Sequence, residues 1–181
     1  GYFWTSYEDL SIQGNVFRFF EYDTTDSYDY NYQYDGGVAS GSLNFSIPVD
    51  FANVFEAKHN ETLKAVALES FYHKNFETTY KINVYRNLSD PNDPTSGELV
   101  ESAFTEFACT DRGFFTIELE NSVKLSEGEL FSIVVTNDKM AYDSKYVTIS
   151  LPKANKGESF YRLGDEWVDA ADKYGNFRIK A

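Results

Sequence analysis

The chain has 181 residues, a length that fits one large β-domain or one domain with a tail. Its formal net charge of −13, from 16 basic and 29 acidic residues, argues against a nucleic acid or an anionic membrane surface as a partner. Both of those partners require clustered Lys and Arg. Because acidic charge mostly keeps a surface solvated, the ligands that stay open are divalent cations and neutral molecules such as sugars.

Cysteine content and hydropathy limit the fold further. Cys109 is the single cysteine, so no intrachain disulfide can form, although a domain of this size can rely on its core. No apolar run approaches the roughly 20 residues of a membrane span, and no signal peptide is apparent. The chain opens directly in strand-like residues, and we therefore expect it to be a piece of a longer protein.

The first 37 residues differ from the rest. Residues 1–9, GYFWTSYED, predict a short aromatic strand, and Tyr and Asp then interleave from Tyr22 to Tyr34 before two glycines at 36 and 37. This interleaved stretch predicts an extended linker whose tyrosines lie along a neighbouring surface. The regular domain is accordingly expected at 38–181.

From residue 38 onwards, apolar and polar residues alternate with a period of two in segments that end at turn formers. Successive side chains of a strand point to opposite faces, so each segment predicts a half-buried strand. The predicted inward faces are Leu43, Phe45 and Ile47; Tyr80, Ile82 and Val84; Phe115, Ile117 and Leu119; Phe131, Ile133 and Val135; Val147, Ile149 and Leu151; and Phe177 with Ile179. A further strand is expected over 103–109, and the one helical candidate is a short turn near 169–173. The inward face of 63–73 cannot be assigned from the pattern. The fold class predicted is all-β, a two-sheet antiparallel β-sandwich with jelly-roll-like connections.

Cysteine chemistry finds little support. Cys109 lies in the strand-like run FTEFAC, which favours a buried structural thiol over a nucleophile. A nucleophilic cysteine needs a histidine beside it, and neither His59 nor His73 lies in a recognisable catalytic setting. Two histidines and one cysteine are also too few for a convincing zinc site.

A calcium site is a candidate in the loop SDPNDPTSG, residues 89–97. Asp90, Asn92 and Asp93 offer oxygen ligands close together, as a hard cation requires. Their spacing matches no known calcium loop, and solvated acids in a turn are the alternative. Calcium is the one cofactor that the sequence suggests.

A carbohydrate site is a candidate in SFYRLGDEWVD, residues 159–169. An aromatic ring can stack on the apolar face of a pyranose, while nearby charged groups bond its hydroxyls. The residues that could do so are Tyr161, Arg162, Asp165, Trp167 and Asp169. The alternative is a turn whose Trp167 plugs the end of the sandwich, since a single Trp is usually well buried.

Several short pieces resemble, in their order and spacing, the lectin-like domain attached to papain-like cysteine peptidases of bacterial and archaeal surface proteins. In chain order they are NVFEA at 53–57, ETLKAV at 61–66, YKINVYRNL at 80–88, DPTSG at 93–97, GFFTIEL at 113–119, LSEGELFSIVV at 125–135, ESF at 158–160, the set Gly164, Trp167 and Asp169, and NFRIKA at 176–181. The resemblance covers nearly all of 38–181. It implies a β-sandwich on a secreted or cell-surface peptidase, and it supplies no set of sugar-binding residues.

The N-terminal residues extend this resemblance. GYFWTSYED is similar to the last strand of a papain-like peptidase, just after the segment that carries the catalytic asparagine. Motifs around the catalytic cysteine, histidine and asparagine are absent from this chain. The resemblance therefore implies that this piece is not an enzyme, although its parent is a peptidase, and that Cys109 does not inherit the role of the nucleophile.

Three functions remain open at this point. The first is a non-catalytic module that binds carbohydrate and so targets a peptidase domain of the same polypeptide. The second is a structural or protein-binding domain, an adhesin or spacer, that packs against the peptidase. The third is a glycosidase. It would need a pair of carboxylates at a suitable separation, and no sequence motif supports it.

Overall fold

The computed structural model describes residues 28–34, 41–45, 49–70, 78–111, 113–137, 145–150, 154–162 and 164–181, with the backbone alone described for 41–45 and 145–150. The chain divides into two compact units, Gly1–Tyr30 and Asn31–Ala181. In the first unit Tyr28 and Tyr30 are exposed, while the strand predicted at 1–9 lies outside the described residues. The fold reported below is that of the second unit.

The second unit is built almost entirely of strands. They are β1 (Gly41–Phe45), β2 (Val49–Glu56), β3 (Glu61–Ser70), β4 (Thr78–Arg86), β5 (Glu98–Leu99), β6 (Thr105–Cys109), β7 (Gly113–Leu125), β8 (Leu130–Asn137), β9 (Lys145–Ser150), β10 (Ser159–Arg162), β11 (Trp167–Asp169), β12 (Asn176–Phe177) and β13 (Ile179–Lys180). A 3-10 helix over Glu101–Ala103 includes the first residue of the strand predicted at 103–109, and the observed strand begins at Thr105. Residues 171–174, near the predicted helical turn, form hydrogen-bonded turns.

The strands form a large sheet and two small ones, all with antiparallel pairing. The large sheet has seven strands in the order β11-β10-β2-β8-β4-β5, with β6 also paired to β4. The small sheets are β1-β9-β12 and β13-β3-β7. Since only Arg178 separates β12 from β13, this segment joins the small sheets into a second layer. The predicted two-sheet antiparallel sandwich is confirmed, whereas the jelly-roll connection stays a prediction.

The core lies between the two layers and is lined by the predicted inward faces. Tyr80, Ile82 and Val84 of β4 are at most 2% exposed, whereas Lys81, Asn83 and Tyr85 are only partly buried on the other face. Three further predicted sets are also buried, namely Ile117 and Leu119; Phe131, Ile133 and Val135; and Phe177 with Ile179. On β8 the intervening Ser132 and Val134 are buried too. Phe115 packs against this core from its margin. The side chains of 43–47 and 147–151 lie outside the described set.

The strand β3 shows why its inward face could not be read from the pattern. Leu63 is buried at an odd position, but Val66 and Leu68 are buried at even ones. The pairing with β7 shifts between Leu63 and Ala65, as a β-bulge does. Between these two pairs β3 has one residue and β7 has four, and the buried positions of β3 change from odd to even there, so no single period fits the whole strand.

Residues 31–34 pack on the sandwich, although the sequence places them in the linker. Tyr32 exchanges backbone hydrogen bonds with Ala181, at 2.7 and 3.0 Å. The ring of Tyr34 stacks on Phe55 at 5.0 Å, and its hydroxyl donates to the carbonyl of Val54 at 2.5 Å. These contacts lie within the second compact unit, which begins at Asn31. The expected division at 37/38 stays a prediction.

Within the part of the chain that the structure describes, no helix is long and apolar enough to cross a membrane.

Candidate functional site

The face of the seven-stranded sheet that points away from the core, called the outer face here, carries a continuous row of polar and aromatic side chains. Strand register places each residue opposite the next, in the order Trp167, Arg162, Asp50, Thr136, Lys81 and Glu106. Directly opposite residues have Cβ atoms about 4.5–5.5 Å apart, so such a row brings its side chains into contact. Six separate strands contribute to it, and no segment of sequence contains it.

Arg162 is the centre of this row. Its Nη2 and Nε bind Oδ2 of Asp50 at 2.7 and 3.2 Å, and the other oxygen of that carboxylate accepts from Thr136 at 2.5 Å. Its Cζ lies 4.7 Å from the ring centre of Trp167, a cation–π contact. The ion pair and the stacking together hold the indole in one orientation at the edge of the sheet.

A small apolar cluster separate from the core lies beside this row. Val54, Leu88 and Phe160 are its buried members. Three partly buried side chains pack around them, namely Tyr85, Leu130 and Trp167. Tyr85 and Trp167 therefore both pack on one apolar cluster whose members are at most 9% exposed.

The loop 89–97 folds onto this same face. Ser132 of β8 donates to the carbonyl of Pro94 at 2.5 Å, and Trp167 Nε1 donates to Thr95 Oγ1 at 3.1 Å. The Thr95 hydroxyl donates in turn to Asp93 Oδ1 at 2.7 Å. The predicted calcium loop and part of the predicted carbohydrate segment, 72 residues apart at Thr95 and Trp167, thus meet at one site.

The acids of the loop act as turn formers. Asp90 Oδ1 accepts from the backbone N–H of Asn92 at 2.8 Å, and Asp93 Oδ1 accepts from the N–H of Thr95 at 2.8 Å. Asp and Asn side chains that bond the backbone two residues on are typical of Asx turns. Among the described residues no group of three or more His, Cys, Asp or Glu side chains is arranged to hold a metal ion. Calcium at Asp90, Asn92 and Asp93 stays a prediction.

The five residues of the predicted carbohydrate segment separate in the structure. Arg162 and Trp167 lie together on the outer face, and Asp165 is exposed in the turn between their strands. Tyr161 points the other way, into the core, with its ring 5.2 Å from that of Tyr174. Asp169 accepts from the N–H groups of two turns, those of residues 157 and 171, at 2.7 and 2.8 Å. The structure thus gives Tyr161 and Asp169 local structural contacts, while their predicted role in sugar binding is untested.

Sequence reasoning missed Asp50 and Tyr85 as members of this site. Burial raises the pKa of the Tyr85 phenol above its usual value, and Asp50 and Asp93 raise it further while Arg162 opposes them. The outward alternation of β4 pointed to Tyr85, but only strand pairing places Asp50 beside Arg162.

Cys109 has the surroundings of a buried structural residue. It is buried at the end of β6, where its thiol donates to Ser70 Oγ at 3.1 Å. His59 lies in an exposed turn after β2, and His73 is outside the described residues. The burial agrees with the structural thiol that the sequence predicted.

Comparison with known proteins places the chain in a family. Residues 31–181 match the family model described as a lectin-like domain. The chain belongs to the lectin-like domain family. No curated protein sequence matches it significantly.

Two solved structures that are similar to this chain are those of a cysteine protease. The clostridial cysteine protease Cwp84 after propeptide cleavage has a TM-score of 0.63 and 20% identity, over 83% of this chain and 39% of that one. A structure of the cysteine protease and lectin-like domains of Cwp84, a surface layer associated protein of Clostridium difficile, has a TM-score of 0.56 and 18% identity, over 77% and 35%. The predicted resemblance is confirmed. At these identities the likeness concerns the fold, and this chain spans less than two fifths of the Cwp84 chains.

Proposed function

We propose that this lectin-like domain is the non-catalytic accessory part of a secreted or cell-surface cysteine peptidase, and that it binds carbohydrate on the outer face at Trp167. The observation that carries the proposal is the position of Trp167, which is partly exposed on the outer face, with Arg162 stacked on its ring and with Thr95 and Asp93 of the loop 89–97 hydrogen-bonded beside it. A binding site for a small ligand typically combines apolar walls with a few placed polar groups.

The chemistry of a sugar fits these groups. The C–H face of a pyranose stacks on an aromatic ring, and an indole offers the largest such surface. Hydroxyl groups exchange hydrogen bonds with guanidinium and carboxylate groups, and Arg162 and Asp93 supply these beside Trp167. Charged partners roughly double the strength of such bonds, which favours hydroxyl recognition at this site.

The accessory role rests on family membership and on the join to a protease in the neighbours named above. A module that holds an enzyme near a glycan-coated target raises its effective concentration there. Localisation at a cell surface is part of the proposal, since one neighbour is a surface layer associated protein.

A glycan array with the purified chain tests the carbohydrate function. We expect binding above background to at least one glycan, and Trp167→Ala to lower that binding by about tenfold or more, as the loss of a central aromatic anchor does. Phe114→Ala is the matched control, because Phe114 is also an aromatic under cation–π contact but lies on β7 of the other layer. No binding with or without calcium, or equal loss in both variants, would refute the proposal.

A second function, a structural domain that docks on the peptidase, is favoured by the anchoring of residues 31–34. The Tyr32 hydroxyl bonds the Glu61 carboxylate and accepts from the N–H of Lys58 at 2.7 Å, so the start of the unit is held firmly. A fixed starting point would limit the motion of a preceding domain. Melting temperatures and amide exchange of the chain alone and within its parent protein test this: if the parent changes neither, intimate docking is wrong.

A further inference from the structure

We infer that Asp50 is a positioning residue of the proposed site: it fixes the guanidinium of Arg162 and, through that group, the indole of Trp167, without binding the ligand itself. The inference rests on the proposed carbohydrate function and names a residue that sets its affinity. It follows from a series of contacts that crosses four neighbouring strands of the seven-stranded sheet, β8, β2, β10 and β11.

The strand that carries Trp167 gives its side chain little support. β11 has three residues and is the edge strand of the seven-stranded sheet, where it pairs with β10. Trp167 is also only partly buried. Segments with few buried contacts and exposed backbone hydrogen bonds are the ones that move most easily. The orientation of the indole therefore depends on the side chains that contact it.

Two polar contacts hold the indole. The Cζ of Arg162 lies 4.7 Å from the centre of the Trp167 ring, and Trp167 Nε1 donates to Thr95 Oγ1 at 3.1 Å. A guanidinium is planar, so it keeps its contact with an aromatic ring only while its own plane is fixed. Any group that fixes the plane of Arg162 therefore also fixes the contact between Arg162 and Trp167.

Asp50 is the group that fixes this plane. Its Oδ2 accepts from both Nη2 and Nε of Arg162, at 2.7 and 3.2 Å, and charge-assisted bonds from two nitrogens restrain the guanidinium more than a single bond does. Its Oδ1 accepts from the hydroxyl of Thr136 at 2.5 Å, so β8 restrains the carboxylate in turn. Because both oxygens are already bonded within the protein, Asp50 acts on the site through Arg162 and not on a ligand.

A fixed indole favours binding because it has less freedom to lose when a ligand stacks on it. The need to immobilise one side chain on binding lowers the affinity by about twofold to tenfold. Release of Arg162 from Asp50 should impose this cost on Trp167. Asp50 thus contributes to the affinity from a position that the ligand does not contact.

The orientation of the indole can be measured without a ligand. In a Trp4→Phe background Trp167 is the one tryptophan left, and near-UV circular dichroism reports whether its ring is fixed. We expect Asp50→Ala to remove most of the indole signal and Asp50→Asn to remove less, since the amide keeps an acceptor for Arg162. Glu106→Ala is the control, because Glu106 is the acid at the other end of the same row and pairs with Lys81 at 3.9 Å. It should leave the signal unchanged, and melting temperatures verify that each variant is folded.

A double-mutant cycle tests whether Asp50 acts through Trp167. The probe is the glycan with the strongest signal on the array described above, titrated as a free oligosaccharide by calorimetry. We expect Asp50→Ala to weaken its binding about threefold or more in the wild-type protein. In the Trp167→Ala background the same substitution should weaken binding by less than about twofold, because the indole that Asp50 positions is gone.

The outcomes separate the positioning role from the proposed function. An unchanged indole signal in Asp50→Ala, or an equal loss of signal in Glu106→Ala, overturns the positioning role and leaves carbohydrate binding intact. The same holds if Asp50→Ala weakens binding equally with and without Trp167. An empty glycan array overturns the proposed function and the positioning role together.

Discussion

The side-chain amide of Asn53 donates to the backbone carbonyl of Ile179 at 2.9 Å, across the interior of the sandwich. It also donates to the carbonyl of Phe177 at 3.0 Å, and its own oxygen accepts from Ser159 at 2.6 Å. Asn53 is fully buried on β2, while Phe177 and Ile179 belong to β12 and β13 on either side of Arg178. One asparagine thus satisfies the carbonyls at the point where the C-terminal segment passes from one small sheet to the other.

Replacing Asn53 tests the importance of this bridge. We expect Asn53→Ala to lower the free energy of unfolding by about 1–3 kcal/mol, because it leaves buried carbonyls without donors. Urea unfolding gives this value. Asn121→Ala is the matched control, since Asn121 is exposed and also donates to one carbonyl, that of Ser102 at 2.7 Å. Equal losses in the two variants would show that burial of the amide does not matter.

Alkaline pH should weaken the anchoring of residues 31–34 through Tyr34. Burial, with smaller contributions from Glu158 and Glu56, raises the pKa of this phenol from 10.0 to about 12. A group whose folded-state pKa lies above its unfolded value stabilises the fold fully below the unfolded pKa. That stabilisation is therefore present below pH 10 and is lost as the pH rises through about 12.

Tyr34→Phe isolates this contribution. Unfolding free energies of wild type and variant, measured from pH 8 to 12, should show a shallower alkaline decline in the variant because one ionising phenol is gone. Parallel declines would mean that Tyr34 does not contribute to the alkaline loss.

The loop 89–97 should keep its form without a metal. Its turns are held by Asp90, Asp93 and the Ser96 hydroxyl, which donates to the carbonyl of residue 90 at 3.0 Å. We expect the melting temperature to be the same in excess calcium and in chelator. We also expect Asp93→Ala to lower the stability by about 1 kcal/mol, as the loss of a local side-chain to backbone bond does. A melting temperature that rises with calcium in wild type and not in Asp93→Ala would instead support the predicted calcium site.

The thiol of Cys109 should be inert in the folded protein. It is 9% exposed and donates to Ser70 Oγ, so a thiol reagent can reach it only when the strand opens. Labelling with a chromogenic disulfide should be slow in buffer and complete in denaturant. Rapid labelling of the native protein would contradict the structural assignment.

Much of the fold followed from local pattern. The inward faces of β4, β7 and β8 were predicted because apolar residues recur at every second position of these strands and so share the face that points to the core. The inward face of β3 could not be predicted in this way. Its buried positions change near Lys64, where its register with β7 shifts, and that shift depends on the pairing of the two strands. The 3-10 helix at Glu101–Ala103 was likewise hidden in a segment with strand-like composition.

The candidate site was predicted only in part. Composition singled out Trp167, Arg162 and Asp93 as members of two separate sites, and it grouped Tyr161 with them although its side chain points into the core. Asp50 was not predicted as a site residue because it is a lone acid at the start of a strand. Only its register with Arg162 places it in the site.

By itself, the sequence determined an all-β sandwich with an aromatic-rich core and its resemblance to a lectin-like domain, since alternation and turn residues act over a few neighbouring positions. Only the tertiary structure decided that Thr95 of one loop meets the indole of a distant strand. Strand order and register set that meeting, and they depend on hydrogen bonds between segments far apart in the chain.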